Sequence, residues 1–161
     1  MIHEKAILAE NVTIHPSSII EDGVSIGKNS SIGAFCLIKK NTRIGENCQI
    51  SNYCEFRENV IIGNNCSFGS RCTISSNAYI GNDVVIKYGF VLADTPDLEN
   101  QFKKKVGRIG NGVLIGANVT LMPGFSIGDF SIIGACSQIR DNIKVNEIWF
   151  GNPAKFFKFR N

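Results

Sequence analysis

Residues 44–56 read Ile44-Gly45-Glu46-Asn47-Cys48-Gln49-Ile50-Ser51-Asn52-Tyr53-Cys54-Glu55-Phe56, in which a large apolar residue returns every sixth position with a cysteine two places before it. Stepping by six in both directions from Ile44 gives Ile2, Leu8, Ile14, Ile20, Ile26, Ile32, Ile38, Ile50, Phe56, Ile62, Phe68, Ile74, Ile80, Ile86 and Leu92, so sixteen successive positions are Ile, Leu or Phe. Those types plus Val fill 50 of 161 positions, and a random frame would hold sixteen in a row about once in 10⁸. The frame is lost after Leu92, returns shifted at Ile109, and continues through Ile115, Leu121, Ile127, Ile133, Ile139 and Val145. A period held over this length marks a solenoid.

A second column lies two residues before each large one: Ala6, Val12, Ser18, Val24, Ser30, Cys36, Thr42, Cys48, Cys54, Val60, Cys66, Cys72, Ala78 and Val84. A spacing of two places both columns on one side of an extended strand, so each hexad turns one large and one small side chain inward. No α-helix uses that pattern. Glycine follows many of the large residues, as at Gly27, Gly45 and Gly63, and asparagine stands three places after them at Asn11, Asn29, Asn41, Asn47, Asn59, Asn65, Asn77 and Asn118. Both tolerate positive φ, so each hexad reads as a short strand and a tight turn. Five of the six cysteines fall on the small inward column, where a free thiol serves as a small apolar filler, and there is no Cys-x-x-Cys pair.

At 43% apolar and 19% charged the chain is an ordinary folded domain. It has no apolar run near the roughly 20 residues needed to cross a bilayer, and Met1-Ile2-His3-Glu4-Lys5 does not open a secretory signal. A cytoplasmic protein without a membrane partner is expected. A net charge of +3 argues against nucleic acid. With His3 and His15 as the only histidines, a three-histidine zinc site lacks its ligands, and no metal is expected.

Strand-and-turn hexads with inward aliphatics resemble the hexapeptide-repeat acyltransferases, in which three hexads make one triangular left-handed coil. The resemblance implies an all-β, left-handed parallel β-helix of 7–8 coils over residues 1–147, with an external loop at 93–108 and a cap at 148–161. It extends to Gly116-Ala117-Asn118-Val119-Thr120-Leu121-Met122-Pro123-Gly124, to Ile133-Gly134-Ala135-Cys136-Ser137 and most specifically to Gly151-Asn152-Pro153-Ala154-Lys155, which look like the acetyl-CoA half of this family. By that resemblance Gly116, Ala117, Ala135 and Ser137 line a groove for the coenzyme A arm between subunits of a homotrimer. Asn152, Pro153 and Lys155 lie near its nucleotide end, with Lys155 as a phosphate partner.

A regular prism has no cleft of its own, so chemistry is expected at the interruption. Val91-Leu92-Ala93-Asp94 resembles nucleotide-linked amino-sugar N-acetyltransferases, with Asp94 where an asparagine stands in them. This implies that Asp94 orients an acceptor amine and collects its proton, without the histidine base that many relatives use. Lys103, Lys104, Lys105 and Arg108 are candidates for an acceptor pyrophosphate. The alternatives are O-acetyl transfer with Asp94 or Asp97 as base, and a non-catalytic scaffold. Because the repeats begin at Ile2, a bare β-helix is expected.

Overall fold

In a computed structural model describing all 161 residues, the thirteen large residues of the first frame from Ile20 to Leu92 are each exposed by 3% or less. Each ends a two-residue strand followed by a turn, and three such sides close one coil of a triangular prism. The molecule is a left-handed parallel β-helix of about eight turns without any helix.

Face 1 stacks Ile7–Leu8, Ser25–Ile26, Arg43–Ile44, Ile61–Ile62, Tyr79–Ile80 and Arg108–Ile109. Face 2 runs from Thr13–Ile14 through Val85–Ile86, Leu114–Ile115 and Ile132–Ile133 to a terminal hairpin, Glu147–Gly151 with Ala154–Phe159. Face 3 runs from Ile19–Ile20 through Glu55–Phe56, Thr73–Ile74 and Val91–Leu92 to Gln138–Ile139. Strands pair in parallel at a register of 18, as Ile7 with Ser25 and Ser67 with Val85, at about 4.8 Å per coil.

The small inward column also satisfies buried backbone. Ser18, Ser30 and Thr42 donate their hydroxyls to the carbonyls of Gly33, Gly45 and Arg57 at 2.6, 2.9 and 2.6 Å. Cys36, Cys48, Cys54 and Cys66 point Sγ at the carbonyls of Ser51, Gly63, Gly69 and Gly81 at 3.1–3.2 Å. These thiols are therefore buried and engaged, and Cys136 alone is exposed.

The turns require left-handed backbone. At the edge between faces 1 and 2, Asn11, Asn29, Asn47, Asn65 and Asp83 take φ of 55–60°. Their side chains form a ladder, from Asn11 to Asn29 at 3.1 Å up to Asn65 donating to Asp83 at 3.1 Å. The edge between faces 2 and 3 places Phe35, Tyr53 and Arg71 at the same turn position, with φ of 57°, 61° and 60°.

The last coil departs from the repeat. Ile143, exposed by 3%, takes the inward place that the period assigns to Val145, which is exposed by 52%. Ile127 pairs with Ile143 and Ile133 with Trp149 at a separation of 16, because the chain cuts its final turn short to start the hairpin. Trp149 Nε1 donates to the Glu147 carboxylate at 2.9 Å, closing this end.

A left-handed φ costs a residue with an ordinary side chain about 1–2 kcal/mol, and asparagine less. Arg71→Asn is therefore expected to raise the free energy of unfolding by about 1 kcal/mol in urea denaturation. A loss of stability would show that Arg71 makes contacts worth more than its backbone strain.

Candidate active site

Tyr79 pairs with Arg108 at a separation of 29 rather than 18, so eleven extra residues leave the prism at the edge between faces 3 and 1. The Lys105 amide donates to the Asp94 carbonyl at 2.8 Å and pinches this loop at its neck. Beyond the neck it projects into solvent, with Leu98 79% and Phe102 97% exposed. Oδ1 of Asp94 accepts from Thr95 Oγ1 at 2.8 Å and from Lys104 Nζ at 3.3 Å, and Lys104 also donates to Thr95 Oγ1 at 2.7 Å. Asp94 is thus held, half-buried, as the carboxylate of a local ion pair.

The four expected basic residues differ in their surroundings. Of the three lysines only Lys104 forms an ion pair, and its partner is Asp94. Arg108 is not a loop residue: it begins a face 1 strand, and its guanidinium lies over the Tyr79 ring at 4.0 Å. The loop proper ends before it, because pairing with Tyr79 restores the repeat there.

Directly below Asp94 on this edge, at the register of 18, stand Ser76 and Glu58. Glu58 accepts from the Ser76 hydroxyl at 2.8 Å, and Lys39 and Arg57 approach it at 3.3 and 3.7 Å. The Ser76 hydrogen bond, aided by Lys39 and Arg57, holds the Glu58 carboxyl down at about 2.

The edge between faces 2 and 3 carries the other half. A recess of about 660 Å³ is lined by Ser51, Gly69, Ser70, Arg71, Lys87, Tyr88 and Ala117. Above it a shallow apolar strip of about 290 Å³ includes Leu114, Gly116, Ile132, Gly134 and Ala135. A β-carbon at Gly116 would meet the Ala135 amide at 2.6 Å, so only glycine keeps this strip closed and flat. Gly116 and Ala135 therefore lie together in the strip, with Ala117 in the recess beside it.

Ser137 does not. It occupies the small inward position before Ile139, is 2% exposed, donates to the Gly134 carbonyl at 2.7 Å and accepts from the Gly151 amide at 3.0 Å. Its hydroxyl serves the joint between prism and hairpin and faces away from the strip. Asn152 and Pro153 form the exposed tip of the hairpin, and Lys155 is exposed on its second strand, at the end of face 2 above the strip.

Arg71, Lys87 and Tyr88 escaped the reading of the sequence. Arg71 carried a signal, since a bulky residue stands where other hexads have asparagine. The apolar strip of glycine and alanine, with Lys155 exposed beyond its upper end, suits a long, thin ligand with a charged end such as coenzyme A.

Lys87 and Tyr88 follow strand Val85–Ile86, and Asp94 follows the next side of the same coil. Recess and loop thus stand at one height on opposite edges of face 3, roughly 15 Å apart for a side of five extended residues. His15, which bonds Ser17 at 2.7 Å, lies four coils or roughly 19 Å below the recess, and His3 five coils or roughly 24 Å below the loop.

Residues 2–101 match the family described as GMPPB C-terminal domain, and residues 107–141 match bacterial transferase hexapeptide (six repeats), the two meeting across the loop. The chain belongs to the hexapeptide-repeat transferase family. It is 47% identical over 66 residues to a probable macrolide acetyltransferase of Lysinibacillus sphaericus, covering 41% of this chain and 37% of that protein. It is 42% identical over 50 residues to galactoside O-acetyltransferase of Escherichia coli, covering 31% of this chain and 25% of that protein. The matched stretches thus span 37% of the first relative and 25% of the second. A UDP-N-acetylglucosamine acyltransferase of Francisella novicida shares the fold over 99% of this chain and 70% of its own, at a TM-score of 0.66 and 18% identity.

Glu58 supplies a pH test of the loop edge. Its folded value lies below the ordinary 4.5, so its contribution is full above pH 4.5 and is lost as pH falls toward about 2. Glu58→Gln should flatten the fall in stability between those values in chemical denaturation, and an unchanged acid limb would contradict the assignment.

Proposed function

We propose that this chain transfers an acetyl group from acetyl-CoA to the amine of an amino sugar, linked to a nucleotide, as a cytoplasmic homotrimer in the synthesis of surface-glycan precursors. The observation that carries the reading is the placement of recess and loop at one height on opposite edges of face 3. A threefold axis parallel to the prism preserves height, so in the proposed trimer the Asp94 loop of one copy meets the recess of the next at its own level. The exposed Leu98 and Phe102 gain a surface to cover in the same step, and closed symmetry is the usual form of such assemblies.

Gly116, Ala117 and Ala135 hold the pantetheine arm, and Lys155 meets the phosphates. When bound, the coenzyme supplies an acetyl thioester as the electrophile. The acceptor amine arrives unprotonated and attacks the carbonyl carbon, the carbon–sulfur bond breaks, and Asp94 orients the nitrogen and takes its proton. A bare carboxylate would favour the protonated, unreactive amine. Lys104, already paired with Asp94, offsets that charge, so the amine need not arrive as the counter-ion. Positioning supplies much of the acceleration.

O-acetyl transfer is the second reading, favoured by the galactoside O-acetyltransferase relative. The absence of a histidine at the height of the loop weighs for the amine, since a hydroxyl needs a stronger base.

Calorimetric titration of acetyl-CoA, with the mass in solution measured alongside, is expected to give one site per chain in a trimer. Acetylation of amino sugars should then exceed that of hydroxy sugars, and Asp94→Asn should lower kcat/KM for the amine about 10–100-fold with acetyl-CoA affinity unchanged. A folded trimer that binds no acetyl-CoA would overturn transfer and leave a scaffold. Faster hydroxyl acetylation would select the second reading.

A further inference from the structure

Fifteen residues other than glycine take positive φ, and nine are asparagine and one aspartate. Of the remaining five, Phe35, Tyr53 and Arg71 occupy one edge in three successive coils, directly below and into the recess. Asparagine relieves the same turn elsewhere on the prism, so the sequence retains strain here where a cheaper residue exists. Strain of this kind collects at sites of function.

What these residues present is ordered and exposed. The rings of Phe35 and Tyr53 stack at 5.2 Å and 12°, and each residue is 58% exposed. Arg71 stands one coil higher, and Lys87 and Tyr88 one coil higher again, in the wall of the recess. Neither Arg71 nor Lys87 enters any of the seven salt bridges, whereas Lys39, Arg57 and Lys104 are all paired. The edge is a rail with aromatic faces at the bottom and two uncommitted cations above them.

We propose that this rail binds the nucleoside diphosphate part of the acceptor, with the base stacked on the Phe35–Tyr53 column and the diphosphate at Arg71 and Lys87. From Phe35 to Tyr88 the rail climbs three coils, roughly 15 Å, which is the reach of a nucleoside diphosphate laid along it. The sugar amine then emerges at the height of Asp94. The inference rests on the amino-sugar reading, and it assigns nucleotide recognition to the prism edge, leaving the loop lysines out of it.

The test titrates uridine, thymidine and guanosine diphosphates into the protein saturated with coenzyme A, by calorimetry. At least one should bind at one site per chain. Tyr53→Asn and Arg71→Asn, which suit the turn, should each weaken it tenfold or more while acetyl-CoA affinity and mass in solution stay the same. A protein that binds acetyl-CoA and acetylates a free amino sugar, yet binds no diphosphate or binds it equally after Tyr53→Asn, overturns this proposal and leaves the transfer reading intact. Dissociation of the trimer by Tyr53→Asn also overturns it, because the column would then be a contact between copies. Failure to bind acetyl-CoA removes both.

Discussion

Parallel hydrogen bonding of each coil to the one 18 residues later is the constraint from which the other features follow. It demands a strand and a turn of fixed length on every side, so the inward positions alternate large and small with no freedom of phase. It demands a left-handed residue at the turns, which asparagine supplies along the edge between faces 1 and 2. It also leaves carbonyls buried at the corners, and the serines, threonine and cysteines of the small column answer these with hydroxyl or thiol donors. The cysteines that suggest redox or metal chemistry by number alone are thereby part of the packing.

A prism so constrained has flat walls, and a site arises only where the constraint is relaxed or exceeded. The loop relaxes it by inserting residues at one edge while the strands resume in register at Arg108. The opposite edge of face 3 exceeds it, keeping Phe35, Tyr53 and Arg71 in a backbone region that asparagine occupies at less cost. Neither edge alone surrounds a substrate. In the proposed trimer, edges of equal height complement one another across copies of the chain, which would give a molecule without a cleft one of its own. The charges differ accordingly: Asp94 and Glu58 on the loop edge are paired with Lys104 and with Lys39 and Arg57, whereas Arg71 and Lys87 on the recess edge enter no salt bridge.

The fold was legible because its period is short and each hexad repeats the same physics. Gly116 and Ala135 of the strip, and Ala117 of the recess beside it, were named through family resemblance, and they lie close together in the structure. What escaped depended on where the repeat bends. Val145 continues the count of six, but the chain had already shortened its last turn, and Ile143 went inward. Ser137 looked like a groove residue until its phase, two before Ile139, turned it toward the core. Arg108 lay next to a lysine run in sequence yet belonged to a strand. Lys87 and Tyr88 carry no mark in the sequence, because their meeting with Ala117 joins positions 29 or more residues apart.

The claim that one site is built from two chains is tested most directly by complementation. Asp94→Asn spoils the loop, and Ala117→Trp fills the recess. Each variant alone should be impaired, whereas trimers assembled from both should regain a substantial share of acetyl transfer, since some junctions pair an intact loop with an intact recess. Mixed trimers no more active than the separate variants would place loop and recess in one chain's site, or in none, and would contradict the account.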